Sequence, residues 1–168
     1  MIRKVIDRVD SIVSANFNSD FSTLASAAGV PALTLAAGDF FKRLAAEVFA
    51  QKLAVGIGYY QDGGSTQAKR PGAASSGIRD TTVNVVIDWY LRGDNPDDVA
   101  VQTEVAIDAL LRSIDRMLEP DANGVRAAGA ERGSITWDIE RTPLTDDSRI
   151  ATERAKLRVP FTVRDTGL

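Results

Sequence analysis

Between Val83 and Arg92 the chain alternates, with Val83, Val85, Ile87, Trp89 and Leu91 on one side and Asn84, Asp88, Tyr90 and Arg92 on the other. That is the period of a strand with one face on a core and the other towards solvent. The run stops at Gly93. Asn95 then supplies an N-cap, Pro96 suits the first helical position, and Asp97 and Asp98 complement the positive end of a helix dipole. The spacing predicts a helix over 96–118, with a core stripe of Val99, Ala106, Leu110, Ile114 and Met117 flanked by Ile107, Leu111 and Leu118, and Pro120 ending it. Asp108 and Arg112 make an i, i+4 pair. A strand that runs into an amphipathic helix calls for a helix layer packed on a sheet.

The rest of the chain fits that frame. Ile2, Val5, Ile6, Val9, Ile12 and Val13 recur at helical spacing, with Arg3, Lys4, Asp7, Arg8 and Asp10 opposite, and a further turn is expected within 17–28 before Gly29. Val30–Leu35 reads as a short strand entered through Pro31. Phe40, Phe41, Leu44, Ala45, Val48 and Phe49 return to helical spacing after Asp39, a candidate N-cap, although alternation from Leu44 to Ala50 also fits a strand. Leu53–Tyr60 reads as a strand whose glycines permit a bulge or a close backbone approach. Residues 61–80 are rich in Gly, Ser and Ala with no apolar period, and are expected to form a long mobile loop.

A second loop is expected over Asp121–Gly133. After it, Ile135, Trp137 and Ile139 alternate with Thr136, Asp138 and Glu140. The last strand sets Ala155, Leu157, Val159, Phe161 and Val163 against Lys156, Arg158, Thr162 and Arg164. These two strands form a natural antiparallel pair, with Asp138 and Glu140 opposite Lys156 and Arg158 on the outer face. Pro160 lacks an N–H and suggests an edge strand or a bulge. The expected fold is α+β, a mixed and mainly antiparallel sheet packed on one face by two amphipathic helices. With 168 residues, 44% of them hydrophobic, one domain over 1–168 is the natural size.

The chain contains no cysteine and no histidine. Disulfides, thiolate nucleophiles, imidazole ligation and His-based acid/base pairs are therefore excluded. Asp94, Asp97 and Asp98 suit helix capping better than Mg²⁺, and Asp146-Asp147 reads as a turn. Gly56-x-Gly58 and Gly63-Gly64 complete no phosphate-binding fingerprint, and no G-x-S-x-G elbow occurs. No enzyme, cofactor or metal is expected. A formal charge of −3 gives no global attraction for nucleic acid, although Lys69, Arg70 and Arg79 make the predicted loop locally basic. Fifteen of the twenty basic residues are arginine, which suits bidentate pairing across interfaces and equally fits a GC-rich genome. The charged start of the chain lacks the apolar run of a signal peptide, and 21–38 is too diluted by small and polar residues to cross a bilayer. The expectation is a soluble protein made in the cytoplasm.

The passage "VNVVIDWYLRGDNPDD" at 83–98 resembles the strand-to-helix passage of the tail terminator (tail completion) proteins of long-tailed bacteriophages, and the ending "LRVPFTVRDTGL" resembles that family's last strand. The predicted helix over 40–50 and the length of 61–80 depart from the family pattern, and neck and head-completion proteins at the portal–tail junction share its size and composition. The resemblance implies a ring, typically of six copies, that caps the head-proximal end of the tail tube, stops tube polymerisation and receives the filled head. It implies as partners further copies of the chain, the tail tube protein and a head–tail connector or neck protein, with passing contact to DNA in the lumen and no membrane. The implied location is the virion tail, after assembly in the bacterial host cytoplasm. Asp138, Glu140, Lys156 and Arg158, with Lys69, Arg70 and Arg79 from the predicted loop, are the candidate residues for the contacts between copies that close such a ring. The competing classes are a small-ligand enzyme using the Gly-rich region, which needs a pocket of convergent polar groups, and a DNA-binding adaptor, which needs salt-dependent affinity.

Overall fold

The computed structural model of the chain describes residues 2–45, 54–68, 79–127, 135–141 and 150–165. Helix α1 spans Ile2–Ala28 without a break. The predicted first helix and the separate turn expected after it are one element, because Val5, Val9, Val13, Phe17, Phe21 and Ala25 continue a single stripe at every fourth residue, all buried. Polar residues within 14–26 do not interrupt it, since Ser14 and Thr23 donate their hydroxyls to the carbonyls of Asp10 and Ser19 one turn back. Gly29, at φ 72°, ends the helix. Val30 N–H bonds the Ala25 carbonyl and Gly29 N–H that of Ser26, satisfying two terminal acceptors.

No strand follows at 30–35, contrary to expectation. That segment is tied to the helices by side chains instead. Asn18 accepts from Leu35 N–H and donates to its carbonyl, both at 2.9 Å, and Gln102 donates to the Pro31 carbonyl at 2.8 Å. The helix expected after Asp39 is also absent where the chain is described. Asp39 closes a 3-10 turn, Ala37–Asp39, by accepting from Ala36 N–H at 2.7 Å. Phe40–Lys42 then forms strand β1, parallel to β2 (Val55–Ala68). Residues 46–50 of the expected helix lie outside the described residues.

Strand β2 takes in Gln61–Ala68, the first part of the expected loop. It pairs with β3 (Arg79–Gly93) as far as Ala68 opposite Arg79, so the polar composition of 61–68 is that of a strand extended by its partner. Residues 69–78 lie outside the described residues. Of the two roles expected for the glycines of 53–60, close approach is found at Gly56, where a Cβ would stand 3.0 Å from the Phe41 ring, while the bulge lies further on, between Gln61 and Gly64, where Gly63 has φ 92°. Gly64 must lack a side chain, because a Cβ there would stand 2.5 Å from the Thr82 carbonyl oxygen.

Helix α2 (Pro96–Asp115) starts as predicted. Asn95 accepts from Asp97 N–H at 3.1 Å, and its amide donates to Asp98. It ends slightly early, with Arg116 as its cap. The expected loop after it contains a short strand, β4 (Val125–Ala127), set by a turn in which Asp121 accepts from the N–H groups of Asn123 and Val125. Strands β5 (Thr136–Arg141) and β6 (Ala151–Asp165) pair antiparallel as predicted.

The sheet order is β1-β2-β3-β6, with β4 and β5 both paired along the far side of β6. Among the described residues only the β1/β2 pairing is parallel. Strand β6 is therefore internal, not the edge that Pro160 suggested. Pro160 is accommodated because β5 pairs 153–158 and β4 pairs 161–163, which leaves it between the two. Both helices lie on one face, α1 against β1–β4 and α2 against β3 and β6. The fold is thus α+β, a mixed, mostly antiparallel six-stranded sheet with two helices.

The helices are joined by a fork in which Arg116 donates to both carboxylate oxygens of Asp20, at 2.5 and 2.8 Å. The Arg116 hydrogen bond holds the Asp20 carboxyl below its ordinary value of 3.8. A depressed folded-state pKa means that the ionised pair stabilises the fold above the unfolded value and that this contribution disappears as pH falls through the folded value. Asp20→Asn should cost about 1–2 kcal/mol at pH 7, reduced from a fully buried pair because Arg116 is part-exposed. Urea unfolding should show the gap from the parent chain closing as the pH falls below the ordinary carboxylate value and through the lowered folded-state value.

Candidate assembly interface

Strand parity sorts β3, β5 and β6 into two faces. On the helix side of β6, Ala155, Leu157, Val159, Phe161 and Val163 are buried, as the alternation predicted. The opposite face carries Arg154, Lys156 and Arg158. Register places Asp138 opposite Lys156 and Glu140 opposite Arg154, and the cations reach diagonally to form the pairs. Lys156 Nζ meets Glu140 Oε1 at 2.7 Å, and Arg158 Nη1 bonds Asp138 Oδ1. The Asp138 hydrogen bond raises the Arg158 guanidinium further above its usual range. These four predicted residues are thus brought together on one face. Lys69 and Arg70 lie outside the described residues, and Arg79 begins β3, opposite Ala68 and Asp165.

The outward face of β3, expected to meet solvent, is more enclosed than the alternation implied. Val86 and Tyr90 are buried, and Asp88 is 0% exposed. Arg154 forks onto it, with Nε to Oδ1 at 2.7 Å and Nη2 to Oδ2 at 2.6 Å. Nη1 of the same arginine lies 4.0 Å from Glu140 Oε2, so charge continues from β3 across β6 to β5. Beside this ladder, burial raises the Tyr60 phenol above its ordinary value. Asp88 and Arg154 were missed as partners. The available signal was an aspartate inside the apolar run Val85–Leu91 with an arginine on a strand able to pair with it.

The helix-side face of β5 departs most from expectation. Trp137 stands opposite Leu157, on the same side of the sheet. Leu157 is 0% exposed, whereas Trp137 is 53% exposed. Ile135 and Ile139, its neighbours on that face, are half-buried against the core. At the end of the strip, Arg141 Nε bonds the buried Glu153 at 2.8 Å, and its Nη2 lies 3.9 Å from Glu104 on α2. Among the described residues α1 packs on β1, β2, β3 and β4 and α2 on β3 and β6, and neither helix packs broadly on β5.

The other sequence candidates have structural roles. A Cβ at Gly56 would lie 3.0 Å from the Phe41 ring, so this glycine admits β1 against β2. At the start of α2 the Asp98 carboxylate accepts from the Asn95 amide, and Asp97 donates its backbone N–H to Asn95. Among the described residues no group of three or more Asp or Glu could hold a metal ion, and Asp146-Asp147 lies outside them. A cleft of about 650 Å³ beside α1 is lined by Asp10, Ser14, Asn18, Leu35, Phe40 and Lys42. Its charges pair within the chain, Lys42 Nζ lying 3.0 Å from Asp10 and 3.6 Å from Asp7, and the Asp10 hydrogen bond raises the Lys42 ammonium above its ordinary value. Among the described residues no helix is long and apolar enough to cross a membrane.

Compared with known protein families and with curated proteins, the sequence matches no family model and no curated protein.

Proposed function

We propose that this chain is a non-enzymatic structural subunit that assembles head to tail into a closed ring, capping the head-proximal end of a phage tail tube, ending tube polymerisation and receiving the filled head. The observation that carries the assembly reading is Trp137, exposed on the apolar side of a strand where its register partner is fully buried. Interface cores are enriched in aromatic residues and depleted of charge, and the strip of Ile135, Trp137 and Ile139 has that character. The placement at the tail terminus is supported by the resemblance of 83–98 and 157–168 to tail terminators and by the order of helix, strands, strand-to-helix passage and final strand pair.

Function in this reading is geometric. A ring of identical subunits needs two different patches on each subunit and a rotation that closes. The cross-strand pairs of Asp138, Glu140, Lys156 and Arg158 make the opposite face of β5 and β6 a charged surface, which supports its use as a contact surface in such an assembly. Negative-stain electron microscopy of the purified protein over rising concentration, with and without Mg²⁺, tests the reading. Closed rings of about six subunits are expected. Open filaments or irregular aggregates would contradict ring closure.

A further inference from the structure

We propose that copies of this chain meet through opposite ends of the sheet, the Trp137 face of one copy, with its acidic margin on α2, receiving the basic corner of the next, where Leu44 and Ile2 stand exposed beside Arg43 and Lys4. The inference rests on the ring reading and specifies the surfaces that build it.

Among the described residues three large apolar side chains are exposed, and they fall at the two ends of the sheet. Trp137, 53% exposed, is on β5. Leu44 and Ile2, each 44% exposed, belong to the other end. Leu44 follows β1, the strand that the sheet order sets farthest from β5. Asn18 holds Leu35, while Asp10 and Asp7 hold Lys42, so 35–42 runs back along α1 and carries Arg43 and Leu44 towards Ile2 at its start. A contact between these patches uses a different surface on each copy, as a closing ring requires. It also covers apolar side chains that a lone copy leaves in water.

The charges around the two patches are opposite in sign and exceed what the chain itself neutralises. The approach of Arg141 to Glu104 marks the flank of α2 that borders β5, and Asp108, Leu111, Asp115 and Leu118 follow Glu104 along that flank at helical spacing. Leu111 and Leu118 are half-buried against the core. Arg141 is already shared by Glu104 and Glu153, whereas Asp108 and Asp115, both exposed, form no ion pair among the described residues. Arg112, one turn after Asp108, acts on Asp20 at the α1 side instead. The β1 end has the reverse balance. Lys42 is shared by Asp7 and Asp10, Arg3 lies 3.8 Å from Asp7, and the exposed Lys4 and Arg43 side chains form no ion pair among the described residues. Each patch is thus an apolar centre with a charged margin, and joining unlike patches brings opposite margins together. Two like patches would set like charges face to face, which disfavours a two-fold contact through either one.

Charge exchange tests the contact. Asp108→Lys/Asp115→Lys makes the α2 margin cationic, and Lys4→Glu/Arg43→Glu makes the basic corner acidic. All four positions are exposed, so both proteins should keep the parent's circular dichroism and unfolding temperature. By native mass spectrometry each is expected to be monomeric where the parent assembles, because like charges then meet at every contact. An equal mixture should assemble again with the two variants in equal numbers, since each margin of one now matches the other. The chain carrying all four substitutions should assemble by itself. In the parent protein, acrylamide quenching of Trp137 should fall on assembly, while buried Trp89 stays unquenched throughout. Assembly of either double variant alone, failure of the mixture to assemble, or unchanged Trp137 quenching would overturn these surfaces and leave the ring reading standing. A parent chain that stays monomeric at every concentration would overturn both.

Discussion

Replacing Trp89 with alanine is expected to lower the unfolding free energy by about 3–5 kcal/mol, the range for removing a large aromatic side chain from a packed interior. Trp89 is fully buried at the centre of β3 and faces the helices. Its ring lies 5.6 Å from that of Phe17 and 6.2 Å from that of Phe21, and those two are 5.6 Å apart, so three aromatic rings lock α1 to the sheet. The indole N–H donates to Thr103 Oγ1 at 3.3 Å, tying α2 to the same residue. Alanine leaves a cavity between sheet and helices and removes the donor from a buried hydroxyl. Trp89→Phe should cost less, about 1–2 kcal/mol, by keeping most of the ring volume. Adding Thr103→Val should recover part of that loss, since removing both partners of a buried hydrogen bond costs less than removing one. Equilibrium unfolding in urea, followed by far-UV circular dichroism, gives all three values. A loss under about 1 kcal/mol for Trp89→Ala would contradict the packing.

The second large effect is expected on the other face of the same strand. Asp88→Ala should destabilise by about 3–5 kcal/mol, because it leaves the guanidinium of Arg154, only 12% exposed, without the carboxylate onto which it forks. The cost arises mainly from the charge left behind. The double variant Asp88→Leu/Arg154→Met should therefore recover most of the loss, as removing both members of a buried ion pair often does. A double-mutant cycle reads the coupling directly. If each single variant loses under about 1 kcal/mol and the two losses add, the pair contributes as an exposed one would.

The parts of this fold legible in the sequence are those fixed by neighbours along the chain. The alternation of 83–91, the Asn95-Pro96 cap and the stripe of α2 are local, and each found its place. The failures share a cause. Phe40–Lys42 is a strand because β2 lies beside it, and the polar segment 61–68 is a strand because β3 continues there to pair with it. Val30–Leu35 has strand-like composition but is claimed by Asn18 and Gln102 from two helices. Pro160 sits inside the sheet because two short strands share one side of β6 and leave its position between them. Each outcome depends on a partner distant in sequence, which propensity does not encode.

The same distinction runs through the candidate interface. Opposite charges on two strands expected to pair were enough to bring Asp138, Glu140, Lys156 and Arg158 together. Exposure was not legible, because alternation reports which residues share a face and says nothing of whether a helix covers it. Trp137 and Leu157 carry the same signal in sequence and differ in exposure because the helix layer ends between their strands.

Native mass spectrometry of the purified chain across a concentration series tests head-to-tail ring assembly most directly. A closing heterologous contact predicts a monomer giving way to one discrete oligomer of about six subunits, with intermediate species scarce because each still has an open patch at either end. A ladder of dimers, trimers and longer species without a preferred size, or a monomer at every concentration, would contradict it.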